Sequence, residues 1–141
     1  MGLAVHNMVT ETAGEEEVSV LTATNRQIDP QVLDLQHLEQ YTCGDKALEQ
    51  ELLGLFKEQA ILQFENINDA TNKSDWEMAV HTLKGCARGV GARNVAELCE
   101  VLEDVSFDGV EETKKSVTEQ LKYAVAVSVV TVETVEKLTF T

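Results

Sequence analysis

The most reactive combination of side chains in this chain lies in the stretch HTLKGCARGVGA, which begins at His81. A neutral imidazole nitrogen is a nucleophile near neutral pH, and an ammonium one turn away can neutralise an incoming phosphoryl group. Lys84 holds that position relative to His81, and Gly85 and Gly89 recur on the same side at intervals of one turn. Each glycine inside a helix costs roughly 0.5–1 kcal/mol against alanine, so their alignment with the histidine serves something other than helix stability. Removing side chains beside an imidazole clears a surface on which another molecule can land. Arg88 and Arg93 extend a positive patch on an otherwise acidic chain, suited to an anionic group or an acidic pocket on a partner.

These residues need a helix that turns them outward. Trp76, Ala79, Val80, Leu83, Ala87 and Val90 recur at helical spacing and form one apolar stripe. At about 100° per residue, His81 falls roughly 160° from the stripe centre at Leu83 and is predicted to face solvent. Gly85 and Arg88 share that outer side, with Lys84 at its flank and Gly89 just beyond. SDWE, from Ser74 to Glu77, has the form of a capping box that would start the helix, and Gly91 would end it.

The neighbouring segments are also expected to be helical. Asp29 and Pro30 resemble a cap and first-turn pair for a short helix with Val32, Leu35, Leu38 and Tyr41 on its inner face. Gly44 breaks the chain, and Asp45 can cap a helix to about Ala70 whose inner face carries Leu48, Leu52, Leu55, Phe56 and Leu62. A helix from about Ala92 to Val105 aligns Val95, Leu98, Cys99 and Leu102, and FDG then supplies a turn. The last segment, Glu111 to about Leu138, contains YAVAVSVVTV, rich in β-branched residues that favour strands. A helical wheel nonetheless aligns Val117, Leu121, Ala124, Val125, Val132 and Val135, and a lone strand would have no partner, so a long helix is expected. The pattern as a whole, helices joined by short loops and each carrying one apolar stripe, predicts an all-α, antiparallel helix bundle. Residues 1–27 mix small, polar and acidic residues without a period and are expected to form a flexible acidic tail ahead of a domain spanning residues 28–141.

With 141 residues, 43% of them hydrophobic, the chain is long enough for one domain with a sizeable core. Its net charge of −14 opposes binding to nucleic acid or to an anionic membrane, since both repel it at long range. The cysteines Cys43, Cys86 and Cys99 are odd in number and lack metal-site spacing, which fits a reduced cytoplasmic setting with no disulfide framework and no metal. No stretch has the roughly 18 consecutive apolar residues of a membrane span, and the start of the chain does not resemble a signal peptide.

HTLKGCARGVGA resembles the signature of the histidine-containing phosphotransfer (HPt) domains of bacterial two-component phosphorelays, an HxxKG core followed by GA, matched here by His81, Lys84, Gly85, Gly91 and Ala92. The segments DLQHLEQYTCGDKALEQELLGLFKEQA, DWEMAVHTLKG and NVAELCEVLE resemble the helices flanking that motif, so the likeness covers about residues 29 to 139. It implies an all-α, antiparallel four-helix bundle with a short additional N-terminal helix, and that His81 is the phosphoacceptor, taking a phosphoryl group from the aspartyl phosphate of a receiver domain and passing it to a response-regulator receiver. Lys84 would assist the transfer, and Gly85, Arg88, Gly89, Arg93 and Glu103 would form the docking and phosphoryl-facing surface. The resemblance further implies a monomer with no cofactor of its own, Mg²⁺ being supplied by the receiver, and a hybrid sensor histidine kinase upstream. Such a chain is a relay intermediate, not an enzyme with ATP-dependent kinase activity, and it contains no GxxxxGK[ST] loop. It departs from the family pattern at Cys86, where many members carry serine or alanine, and at Glu103, where some use glutamine. Glu103 could accept an imidazole N–H or repel the phosphoryl group. Two other readings of the same residues are an acidic helical adaptor that only docks a partner through the His81 face, and an enzyme such as a kinase fragment or a phosphohistidine phosphatase.

Overall fold

Signals at the helix ends set most of the architecture. The computed structural model describes residues 28–140, and the tail expected over residues 1–27 lies outside the described residues. Five helices follow in order: α1 (Leu35–Thr42), α2 (Lys46–Asp69), α3 (Lys73–Val90), α4 (Arg93–Val105) and α5 (Glu111–Thr139). The linkers 70–72, 91–92 and 106–110 are short, which forces each helix to run back along its predecessor. Helix α2 packs on α3, α3 on α4, α4 on α5 and α5 back on α2, closing a four-helix bundle, while α1 lies across α2 and α3. The described residues are all-α, as the pattern predicts.

The chain reverses between α3 and α4 on Gly91, which adopts the left-handed conformation at φ +80°. Its amide and that of Ala92 donate to the carbonyls of Arg88 and Ala87, a Schellman arrangement that closes α3. A Cβ on Gly91 would sit 2.9 Å from both Cβ and the carbonyl oxygen of Asp34, because the lead-in strand of chain lies directly on this turn. The Asp34 amide donates to the Gly91 carbonyl at 2.9 Å, and the Asn94 amide donates to the Gln31 carbonyl at 2.8 Å. Helix α4 has no side-chain cap of its own, so the Gln31 carbonyl satisfies one of its orphan donors.

That docking explains why the first helix starts later than expected. Asp29 and Pro30 form a turn in which the Asp29 carbonyl accepts from Val32 and Leu33. The chain then extends at Asp34 to meet Gly91, and Asp34, not Asp29, caps α1 by accepting the His37 amide at 3.1 Å. Tyr41 points outward and Thr42 inward. The start of α3 also differs: Asn72, not Ser74, is the cap, accepting the Asp75 amide at 2.9 Å while its own amide group donates to the Asp75 carboxylate at 2.9 Å. The cap at Asp45 forms as expected.

The largest correction concerns α2. Its buried line is Glu49, Leu53, Phe56, Ala60 and Ile67, whereas Leu55 and Leu62, expected inside, are exposed. Leucines surround this helix, and only the position of its neighbours selects which are covered. Buried Glu49 is satisfied by the Thr42 hydroxyl, which donates to it at 2.7 Å and so ties α2 to α1. Helix α5 runs unbroken through YAVAVSVVTV: Val117, Leu121, Val125, Val132 and Val135 are buried, with Ala124 packed at the edge of the core. Burial of this stripe against α2 and α4 overrides the β-propensity of its valines. The core draws mainly leucine, valine and alanine, with Phe56 and Ile67 from α2 and Cys99 from α4, and Trp76 stacks obliquely on Phe107.

Candidate functional site

The whole predicted stripe of α3 is buried: Trp76, Ala79, Val80, Leu83, Ala87 and Val90. A straight helix anchored along one side must present the opposite side to solvent, and the His81 side chain is 78% exposed. Gly85 and Gly89 follow it on that side. A Cβ at either would meet nothing within 4 Å. Close packing therefore gives no reason for glycine here, and the cost to the helix leaves a bare strip beside the imidazole. Met78, one turn before His81, is also exposed. Sequence reasoning overlooked it, although its place off the buried stripe, three residues from the histidine, was the available signal.

Antiparallel packing of α3 on α4 brings carboxylates to the cations of α3. Lys84 donates to Glu103 Oε1 at 2.7 Å, and the other oxygen, Oε2, stands 3.9 Å from His81 Nδ1. The second distance is too long for a hydrogen bond but well within Coulomb range. Lys84 is only 15% exposed, so its aliphatic stem lies along the bundle and its ammonium is held at the rim of the site. His81, Lys84 and Glu103 thus form one cluster spanning α3 and α4. Behind it lies Cys99, fully buried, whose thiol is pushed up to about 12 by burial and, secondarily, by the Glu103 charge, against a smaller opposing effect of Lys84. Burial likewise raises the thiol of Cys86. Neither sulfur is a thiolate near neutral pH.

Arg88 and Arg93, expected to extend a positive patch, each meet a carboxylate. Arg88 pairs with Glu100, and Arg93 pairs with Asp34. Arg93 also begins α4 beside Gly91, about 15 Å along α3 from His81 at 1.5 Å per residue, and acts on the docking of the lead-in chain. Burial tends to raise the Asp34 carboxyl, but the Arg93 hydrogen bond, the His37 amide and the nearby positive charge outweigh it, leaving the group below its ordinary value. These partners were not legible in the sequence because Asp34 and Glu100 approach the arginines from separate elements. Among the described residues, no group of three or more His, Cys, Asp or Glu side chains is placed to hold a metal ion, and no helix is long and apolar enough to cross a membrane.

Comparison with known proteins gives two findings and one blank. The family model described as "Hpt domain" matches residues 51–127, more than half of the chain and the stretch that holds α3, α4 and the His81 cluster. Among solved structures, the crystal structure of the histidine phosphotransferase ShpA from Caulobacter crescentus is similar at 38% sequence identity. The likeness covers 67% of this chain and 88% of that one, with a TM-score of 0.48. No match is found among curated proteins.

Proposed function

The chain belongs to the Hpt domain family, and on that premise we propose that His81 accepts a phosphoryl group from the aspartyl phosphate of one receiver domain and passes it to the receiver of a response regulator. The observation that carries the proposal is a solvent-facing imidazole in mid-helix, bordered by an open glycine strip and by a lysine and a glutamate on a rigid helix pair.

The chemistry follows from the arrangement. Glu103 stands on the Nδ1 side of the ring, and a carboxylate there favours the tautomer with hydrogen on Nδ1, which leaves the Nε2 lone pair as the nucleophile. That pair attacks phosphorus, the bond from phosphorus to the aspartyl oxygen breaks, and the aspartate leaves as carboxylate. The ring, still carrying hydrogen on Nδ1, becomes positively charged, and Glu103 lies where it offsets that charge. Lys84, on the same cluster, offsets the negative charge of the transferring group. Transfer to the second receiver runs the same steps in reverse. Mg²⁺ belongs to the receiver in this scheme, and the chain needs no nucleotide. Gly85 and Gly89 admit the receiver's surface, with Met78 as an apolar contact beside the histidine. We place the exchange in the cytoplasm, with a hybrid sensor kinase as donor and this chain acting as a monomer.

The test is transfer of label from a phosphorylated receiver. The wild-type chain should become labelled and lose the label to a second receiver, while His81→Gln should stay unlabelled although still folded. Label on His81→Gln would overturn the assignment. Label taken from ATP without any receiver would show a kinase instead, and sustained phosphate release at substoichiometric protein would show a phosphatase.

A further inference from the structure

A second surface lies on the flank of α4 away from the histidine. Val101 and Glu103 are two residues apart, so they point about 200° from each other around α4: Glu103 toward the His81 cluster, Val101 toward α5. There α4 and α5 leave a groove of about 790 Å³. Its apolar lining comes from Val32, Leu98, Val101, Ala124 and Val127, and Val101 and Tyr123 are among the exposed large hydrophobic side chains. Ser128 also lines it, is 1% exposed, and its hydroxyl has no hydrogen-bond partner among the described residues.

We propose that this groove docks a cationic amphipathic helix from a partner protein, on a surface separate from the phosphotransfer face. Three observations fix the occupant. The walls run from Asn94 to Val101 on α4 and from Glu119 to Ser128 on α5, about 10–14 Å at the helical rise, which is the reach of two to three turns of a docked helix. The rim carries the carboxylates of Glu97 and Glu119, neither of which forms an ion pair among the described residues, although Arg93 lies one turn from Glu97 on α4 and Lys115 and Lys122 one turn from Glu119 on α5. A chain of net charge −14 would bring like charge against like if a second copy occupied the groove, whereas lysine or arginine flanking an apolar helix face would pair with the rim. Such an occupant leaves the imidazole free, so the chain could be held by one protein while exchanging phosphate with another.

The experiment uses the full-length chain, isotope-labelled, and a synthetic peptide of about 14 residues containing only leucine and lysine, with leucines at the i, i+3, i+4, i+7 spacing of helix-in-groove recognition. Saturable amide shifts should centre on residues 94–101 and 119–128 and leave those around His81 in place. Val101→Asp and Tyr123→Ser, both at exposed positions, should each weaken binding about tenfold or more, and Glu97→Gln with Glu119→Gln should weaken it and reduce its salt dependence. A scrambled peptide of the same composition should bind far less well. Equal binding of the scrambled peptide, shifts spread over the acidic surface or centred on α3, or no saturable shift would each overturn the proposal.

Discussion

Replacing Gly85 by alanine should make the protein more stable and a poorer phosphotransfer partner, a combination that separates the two explanations for glycine at this position. Gly85 lies inside α3 with ordinary helical backbone, and the added Cβ would meet nothing within 4 Å. No clash offsets the gain in helix propensity, about 0.8–1 kcal/mol in favour of alanine. For a domain of this size that corresponds to a rise in Tm of about 2–4 °C. Gly85→Gln should keep most of that gain, since glutamine is also a good helix former, yet its amide would reach over the strip beside His81, whose Cβ lies about 5–6 Å away at i,i+4 spacing. Urea or thermal unfolding measures the first effect; the initial rate of label transfer from a phosphorylated receiver measures the second. Transfer should fall modestly for Gly85→Ala and severely for Gly85→Gln. Destabilisation of Gly85→Ala would show that the glycine is there for packing, and wild-type transfer by Gly85→Gln would refute the landing surface.

Three further outcomes are expected. Gly91→Ala should destabilise the fold by about 1–3 kcal/mol, because a side chain in the left-handed region is strained and its Cβ would press on the Asp34 backbone; chemical denaturation checks this, and an unchanged midpoint would contradict the docking of the lead-in chain on the turn. Lys84→Ala should slow transfer without loss of helix content, since Lys84 lies off the buried stripe of α3 and alanine is a strong helix former; a rate equal to wild type would remove Lys84 from the mechanism. Asp34 has a folded pKa below its ordinary 3.8, so its ionised form stabilises the fold above that value and the contribution is lost as pH falls through the folded pKa. Asp34→Asn, which keeps a capping side chain, should therefore show a shallower loss of stability below about pH 4 than the wild type, measured as urea midpoints across acid pH.

The histidine's setting was legible because α3 carries one unambiguous stripe. When all the apolar residues of a helix fall on one side, the direction of every other residue follows from 100° per residue, and His81, Gly85 and Gly89 could be placed outward before any coordinates. Helix α5 was legible for a related reason: its valines alternate like a strand locally, but their longer period is helical. Helix α2 was not legible. Leu48, Leu52, Leu53, Leu55 and Leu62 surround it, and covering Leu53 while exposing Leu55 and Leu62 depends on where α3 and α5 lie. The start of α1 failed similarly, since Asp29 with Pro30 and Asp34 are both plausible caps, and the contact of Asp34 with Gly91 selects between them.

The sequence by itself determined the helices, their order, the turn at Gly91 and the outward imidazole, because periodicity and backbone preference act within a few residues along the chain. Tertiary structure alone decided which charges meet: Lys84 with Glu103, Arg88 with Glu100, Arg93 with Asp34. Coulomb and hydrogen-bond energies depend on separation in space, and in an antiparallel bundle that separation is set by packing between helices distant in sequence. The same packing turned an expected positive patch into paired charges and left one glutamate shared between the lysine and the histidine.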